Sequence, residues 1–203
     1  MSPELPSLSA APPLLLVVSG PSGVGKSVIC DRLVDADTTL VHSVSATTRP
    51  PRPGETEGED YFFLNDASFR RGVDAGDFLE WAEVHGHLYG TPRKAVEACM
   101  SRGLTPVLNV DVQGGRSVKR LMPKAVLVFL FPPDWPELER RLRGRKTDSN
   151  PVIDTRLVNA RLEMEEWVHY DYAMVNNQLD TAVAGVAGIL TAERASVSRI
   201  RKI

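Results

Sequence analysis

The apolar positions of this 203-residue chain fall into two patterns. At 14–18, 106–110 and 125–131 they form short apolar runs, as parallel strands buried on both faces require. Elsewhere they recur at helical spacing: Val28, Ile29, Leu33 and Val34; Ile153, Leu157, Ala160 and Met164; Val183, Val186, Ile189 and Leu190. These stripes predict helices beginning near Lys26 and spanning 152–168 and 181–198. Further helices are expected over 67–75, 93–102, 117–121 and 135–143. Pro92 suits a helix's first turn and Gly103 stops that helix. Short strands are expected over 41–48, 61–64, 78–84 and 172–175, with 87–90 a hairpin partner or loop. Strands alternating with helices predict an α/β fold, a parallel sheet flanked by helices on both faces. The stretch from Ser45 to Tyr89 breaks that alternation and predicts an inserted, β-rich substrate module.

Two stretches resist regular structure. Residues 49–55 hold three prolines and a glycine, which exclude helix and ladder alike and predict a loop. Residues 144–150 are polar and are expected to be loose. Composition adds bounds. A hydrophobic fraction of 42% suffices for one packed domain of ordinary size. The net charge of -2 gives no pull toward nucleic acid or membrane. No apolar run approaches the roughly 20 residues that span a bilayer. Cys30 and Cys99 lack metal-like spacing and read as reduced thiols of a cytoplasmic protein. The Pro-, Ser- and Ala-rich start, 1–13, lacks a basic region and reads as a disordered leader, not a signal peptide.

The segment GPSGVGKS, 20–27, follows the first apolar run and precedes the first helical stripe. Strand, glycine loop and helix in that order form a phosphate-binding P-loop. Gly20, Gly23 and Gly25 let the backbone turn tightly and bring N–H groups close to a polyphosphate. Pro21, Ser22 and Val24 complete the loop. The helix beginning at Lys26 points its positive dipole end at the same anion. Lys26 adds a mobile charge for the β- and γ-phosphates, and the Ser27 hydroxyl suits a Mg²⁺ ion.

A second anionic group finds partners in the insertion. Arg49 and Arg52 lie in the proline-stiffened loop, and Tyr61 and Tyr89 stand toward the insertion's two ends. Guanidinium forks and phenol hydroxyls can together wrap a phosphate. Glu80 is an acid among large apolar neighbours, Phe78, Leu79 and Trp81. A carboxylate accepts both adjacent guanine donors, while hydroxyls such as Ser45 and Thr91 can donate to O6. Spacing alone leaves an outward-facing strand position equally open for Glu80. His85 and His87 alternate as H-x-H, but no third ligand is visible, and they read as surface residues of a hairpin. His42 and His169 read as structural.

Taken together, GPSGVGKS (20–27), SVSATTRPPRPGE (43–55), GEDYFF (58–63), FLEWAEVHGHLYGT (78–91), LNVDVQG (108–114) and RLRGR (141–145) resemble guanylate kinases in order and spacing. The resemblance implies transfer of the ATP γ-phosphate to GMP and dGMP with Mg²⁺. It implies a P-loop NTPase-type parallel sheet with an inserted β-rich GMP-binding module and a helical lid. The implied divisions are a core at 14–44, 92–134 and 159–203, a GMP module at 45–91 and a lid region at 135–158. By motif, Ser45, Glu80 and Thr91 resemble the guanine readers, and Arg49, Arg52, Tyr61 and Tyr89 the phosphate clamp. Asp111 is similar to an acid that serves the metal and the GMP side. Arg141, Arg145 and Arg156 resemble arginines that approach the transferring phosphate, and Asn176 falls near the adenine. Arg140 and Arg143 read as a solvated helix face. The chain departs from the family pattern at Asn109, where a second acid is usual, at Asn177, at Lys146, and at Thr91 in place of serine. On the residues alone two rivals stay open. A P-loop kinase of a ribose bisphosphate would not need Ser45 and Glu80 as a pair. A peptide-binding module of the same build generally has a degraded P-loop, whereas Lys26 and Ser27 are intact.

Overall fold

The computed structural model describes residues 13–84, 86–144 and 150–199. Chain order begins β1 (Leu16–Ser19), α1 (Lys26–Ala36), β2 (Leu40–His42), β3 (Ser45–Thr47) and β4 (Tyr61–Phe63). There follow α2 (Asp66–Asp74), β5 (Phe78–Val84), β6 (His87–Pro92), α3 (Arg93–Ser101) and β7 (Thr105–Asn109). The chain continues with α4 (Val112–Leu121), β8 (Val126–Phe131), α5 (Trp135–Arg143), α6 (Asn150–Glu165), β9 (Tyr172–Val175) and α7 (Leu179–Arg194). A 3-10 turn, Glu166–His169, separates α6 from β9.

Two sheets result. One is parallel with strand order β2-β7-β1-β8-β9, and the other is mixed with order β4-β3-β6-β5. Alternate residues of the first strand feed opposite faces of the parallel sheet. Leu14, Leu16 and Val18 pack with Ile29, Cys30 and Leu33 of α1 and with Ala182, Val186 and Leu190 of α7. Leu15 and Val17 pack with Val96 of α3 and Val118 of α4. The expected α/β architecture with helices on both faces is therefore present. The insertion has its own small core, Ala46, Phe69, Phe78 and Leu88. A further cluster, Leu138, Leu142, Ile153 and Ala160, joins α5 to α6.

Several element limits differ from the expectation. The helix expected over 117–121 begins at Val112, because Asp111 caps it by accepting the Gly114 N–H at 2.8 Å. Gly114 and Gly115 had hidden that start. The last helix runs two residues earlier at its start and stops at Arg194, not Ser198. Val28 leaves the inward stripe and is 49% exposed, since α1 buries the Ile29, Cys30 and Leu33 face instead. His42 and His169 are half-exposed beside Asp31 and Glu166, at 3.2 and 4.0 Å, and are no part of a core. No helix among the described residues is long and apolar enough to cross a membrane.

Candidate functional site

Parallel pairing sets the carboxyl ends of five strands along one edge. Winding reverses at β1, with β7 and β2 to one side and β8 and β9 to the other. Such a reversal opens a crevice beyond the strand ends, where ligands of open α/β sheets bind. The P-loop follows β1, Asn109 and Asp111 stand at the end of β7, and Asn176 follows β9.

Gly20, Gly23 and Gly25 have φ of 138°, 84° and 102°, the side of backbone space that L side chains avoid. Space is lacking too: a Cβ on Gly20 would stand 2.4 Å from the Leu130 carbonyl oxygen, and one on Gly25 2.7 Å from Asn176 Nδ2. The Lys26 ammonium curls back to the carbonyls of Gly20 (2.7 Å) and Pro21 (3.2 Å), which keeps its charge at the loop's mouth. The Val24 carbonyl is braced from behind. It accepts from Asn176 Nδ2 at 2.8 Å and from Arg141 Nη1 at 3.3 Å, and Arg141 Nη2 donates to the Asn176 carbonyl at 3.2 Å. Arg141 Nε is held by Glu137 Oε1 at 2.7 Å. Hydrogen bonds from Arg140 and Arg141 push the Glu137 carboxyl down to about 2. Ser22 N–H donates to Glu163 of α6 at 3.2 Å.

Beside the loop lies a cavity of about 340 Å³, within the range of small-molecule sites. Ser45, Tyr61, Glu80, Tyr89, Thr91 and Asp111 all line it, together with Asn109. Glu80 thus faces the cavity, not bulk solvent. Its position follows from its neighbours on β5: Phe78 roots in the insertion's core and Leu79 in the main core, with a register shift between Phe78 and Glu80. The Thr91 hydroxyl, buried to 2% exposure, donates to Glu80 Oε1. That bond orients the carboxylate and commits the threonine proton expected for a base oxygen. Burial pushes the Glu80 carboxyl above the usual carboxylate range, the Thr91 bond opposes this, and the Asp111 charge adds to it.

The aromatic edge of the cavity meets the proline loop. Tyr61 and Tyr89 stack edge to face at 6.1 Å, and the Arg49 guanidinium lies 5.4 Å from the Tyr61 ring centre. Arg49 Nη1 donates to the Pro50 carbonyl and Nη2 to Glu55 Oε1, both at 2.7 Å. Glu55 Oε2 accepts the Arg52 backbone N–H at 2.7 Å, so one carboxylate folds the loop back on itself. Arg49 in turn holds Glu55 below the usual carboxylate range. Arg52 is exposed on this loop and does not line the cavity. Arg156 is half-buried on α6. Arg145, Lys146 and His85 lie outside the described residues. Arg140 is exposed and paired with Glu137, and Arg143 is paired with Glu139.

The residues that suit a Mg²⁺ ion stand at two adjoining strand ends. Ser27 Oγ accepts from Asn109 Nδ2 at 2.8 Å, and Asp111 Oδ1 accepts the Gly114 N–H at 2.8 Å. Among the described residues no cluster of three or more His, Cys, Asp or Glu side chains could hold a metal by itself. One hydroxyl and one carboxylate fit a hard cation whose other ligands are phosphate oxygens.

Sequence reasoning missed the tethers. Glu55, Glu137 and Glu163 were given no part in the site, although each touches a residue that was. Glu137 was findable, being four residues before Arg141 on one helix face. Glu163 and Ser22 are 141 positions apart, and no local pattern links them.

The sequence matches the protein-family model described as Guanylate kinase over residues 13–193. It is 43% identical to the guanylate kinase of Geobacter metallireducens over 187 residues, 92% of each chain. It is 44% identical to that of Myxococcus xanthus over 190 residues, 93% of this chain and 91% of that protein. The crystal structure of guanylate kinase from Anaplasma phagocytophilum superposes with a TM-score of 0.73 at 34% identity, covering 95% of this chain and 92% of that one. A glycine loop facing a carboxylate-bearing cavity across one strand end, and this likeness along almost the whole described chain, place it in the guanylate kinase family.

Proposed function

We propose that the chain transfers the γ-phosphoryl group of ATP to GMP, giving ADP and GDP, within purine nucleotide metabolism in the cytoplasm. The observation that carries this reading is the Glu80 carboxylate, half-buried, oriented by Thr91 and turned into a cavity that borders the P-loop serine through Asn109. Guanine offers N1–H and an exocyclic amine side by side, and a carboxylate accepts both. Adenine presents a lone pair at N1 and would face Glu80 in repulsion. With the Thr91 proton given to Glu80, Ser45 is the cavity hydroxyl assigned to O6.

In this reading the GMP phosphate lies against Arg49, Arg52, Tyr61 and Tyr89. Its oxygen is already anionic, so transfer needs alignment and charge neutralisation, with no strong general base. Lys26 moves from its carbonyls to the β- and γ-phosphates, and loop N–H groups take the remaining oxygens. Arg141, Arg145 and Arg156 are assigned to charge on the transferring group, and Asn176 to the ATP side. Arg141 and Asn176 also keep the Val24 carbonyl turned away from the anion. Ser27 and Asp111 would hold Mg²⁺, which supplies charge neutralisation at the phosphate oxygens. The mixed sheet serves as the GMP module, 45–91, and α5 with the first turns of α6 as the lid, 135–158. Their closure excludes water, which would otherwise take the phosphoryl group.

A coupled ADP-release assay with GMP, dGMP, AMP and UMP tests the reading. GMP turnover is expected to exceed AMP and UMP turnover by roughly 10⁴-fold, as buried polar groups left unpaired by the wrong base impose. Lys26→Ala should abolish turnover while the melting curve stays near that of the wild type. Equal use of AMP and GMP, or no turnover with any acceptor, overturns it.

A further inference from the structure

One side chain belongs to both halves of the site. Asn109 ends β7, donates its amide Nδ2 to Ser27 Oγ at 2.8 Å, and lines the same cavity as Glu80, Tyr89 and Asp111. The polarity of that bond has consequences. A donating amide takes one lone pair of the serine oxygen and leaves the serine proton to another acceptor. A carboxylate in its place would take the serine proton, leave both lone pairs for other partners, and add a negative charge. Asn109 thus brings no charge to the Ser27 oxygen, and hard divalent cations favour anionic oxygen neighbours. The nearby carboxylate of Asp111 is already engaged, with one oxygen capping α4 through the Gly114 N–H. No cluster of three or more His, Cys, Asp or Glu side chains among the described residues could hold a cation by itself.

We infer that Asn109 is a positioning residue for the Ser27 hydroxyl, and that its neutral amide leaves the site with a weaker hold on a nucleotide-bound divalent cation than a carboxylate at this position would give. The inference rests on the phosphotransfer reading and deepens it. It sets two substitutions against each other. Asn109→Ala releases the Ser27 hydroxyl and weakens the hold on a nucleotide-bound cation. Asn109→Asp supplies the missing anion and strengthens it.

Mn²⁺ followed by electron paramagnetic resonance reads this directly, titrated into ADP alone and into protein in excess over ADP. ADP without protein binds Mn²⁺ and is the reference, and wild type with ADP is expected to take up more of the ion than ADP alone does. In the ADP complex, Asn109→Asp should bind Mn²⁺ about tenfold more tightly than wild type and Asn109→Ala about threefold more weakly. Asn109 is exposed, so both variants should melt with the wild type. In turnover, Asn109→Ala should lower kcat while the KM for GMP stays within about twofold, the split expected of a group that sets geometry without binding the acceptor. Unmoved Mn²⁺ affinity of the ADP complex in both Asn109→Asp and Asn109→Ala overturns the inference. A wild type that turns over no GMP overturns the phosphotransfer reading instead.

Discussion

Glu80 carries opposite demands at the scale of a single residue. Its folded carboxyl titrates above the usual glutamate value, with burial the largest cause. A carboxyl of this kind binds its proton more readily folded than unfolded. Its contribution to stability is complete below the unfolded value and is lost as pH rises through the higher folded one. Deprotonation on raising the pH therefore costs the empty protein stability, and the charge is assigned to the guanine of the acceptor. Glu80→Gln should melt at a higher temperature than wild type at pH 7, and that advantage should vanish near pH 4. The same variant should raise the KM for GMP by roughly 100-fold while the KM for ATP stays nearly level, since an amide cannot accept both guanine donors. A lower melting temperature at pH 7 would sink this account of the carboxyl. Arg49 makes a second case. Its fork bonds Pro50 and Glu55 at once while its face lies over Tyr61. A lysine is a point charge and cannot hold both acceptors in a plane. Arg49→Lys should lower kcat/KM for GMP by roughly 100-fold with little change in melting; unchanged kinetics would place Arg49 outside the clamp.

Elements show what a sequence pattern can and cannot disclose. Strands β1 and β8 were legible because runs without polar alternation have few other uses, and β5 and α5 match their expected limits to the residue. Helix α4 was legible only in its second half. Its first turn reads Val112-Gln113-Gly114-Gly115, and paired glycines ordinarily argue against a helix. The structure supplies the reason they are there. A Cβ on Gly115 would stand 2.4 Å from the Tyr170 hydroxyl, and one on Gly114 would stand 3.3 Å from Glu80 Oε2. Tyr170 leaves no room for a side chain at Gly115, and Val110 and Glu80 leave little at Gly114. Tyr170 is largely buried, and burial pushes its hydroxyl up to about 12, with neighbouring Ser19 easing the shift. Gly188 of α7 is the contrast, with nothing within 4 Å of a Cβ built on it. Gly115→Ala should therefore destabilise by about 1–3 kcal/mol through overpacking against a rigid ring. Gly188→Ala should stabilise by about 0.5–1 kcal/mol by removing backbone freedom from the unfolded chain. Urea denaturation of the two variants checks both signs, and a shared sign would show that crowding at Tyr170 is not what separates them.

At the scale of the whole molecule, the P-loop was readable because its parts are contiguous, and the tethers were not because they depend on sheet register. Asn109 meets Ser27, and Asn176 meets Val24, only because β7, β1 and β9 end on one edge. The same geometry ranks the insertion by stability. Its strand β5 is anchored twice, by Phe78 in the small core and by Leu79 in the main core, and Ser117 Oγ of α4 holds the Leu79 carbonyl at 2.8 Å. At the opposite edge β4 has three half-buried residues and pairs with β3 alone in its sheet. The proline loop before β4 is tied mainly through Glu55. Local opening follows the density of buried contacts, so the 49–64 stretch should exchange its amide hydrogens well before 78–84. GMP should reverse much of that difference, because Arg49 and Tyr61 are assigned to its phosphate and binding would stabilise the closed form of the loop. Hydrogen exchange with and without GMP measures both. Uniform protection across the insertion would deny the ranking of its strands, and protection at 49–64 unmoved by saturating GMP would deny that this loop and β4 grip the acceptor.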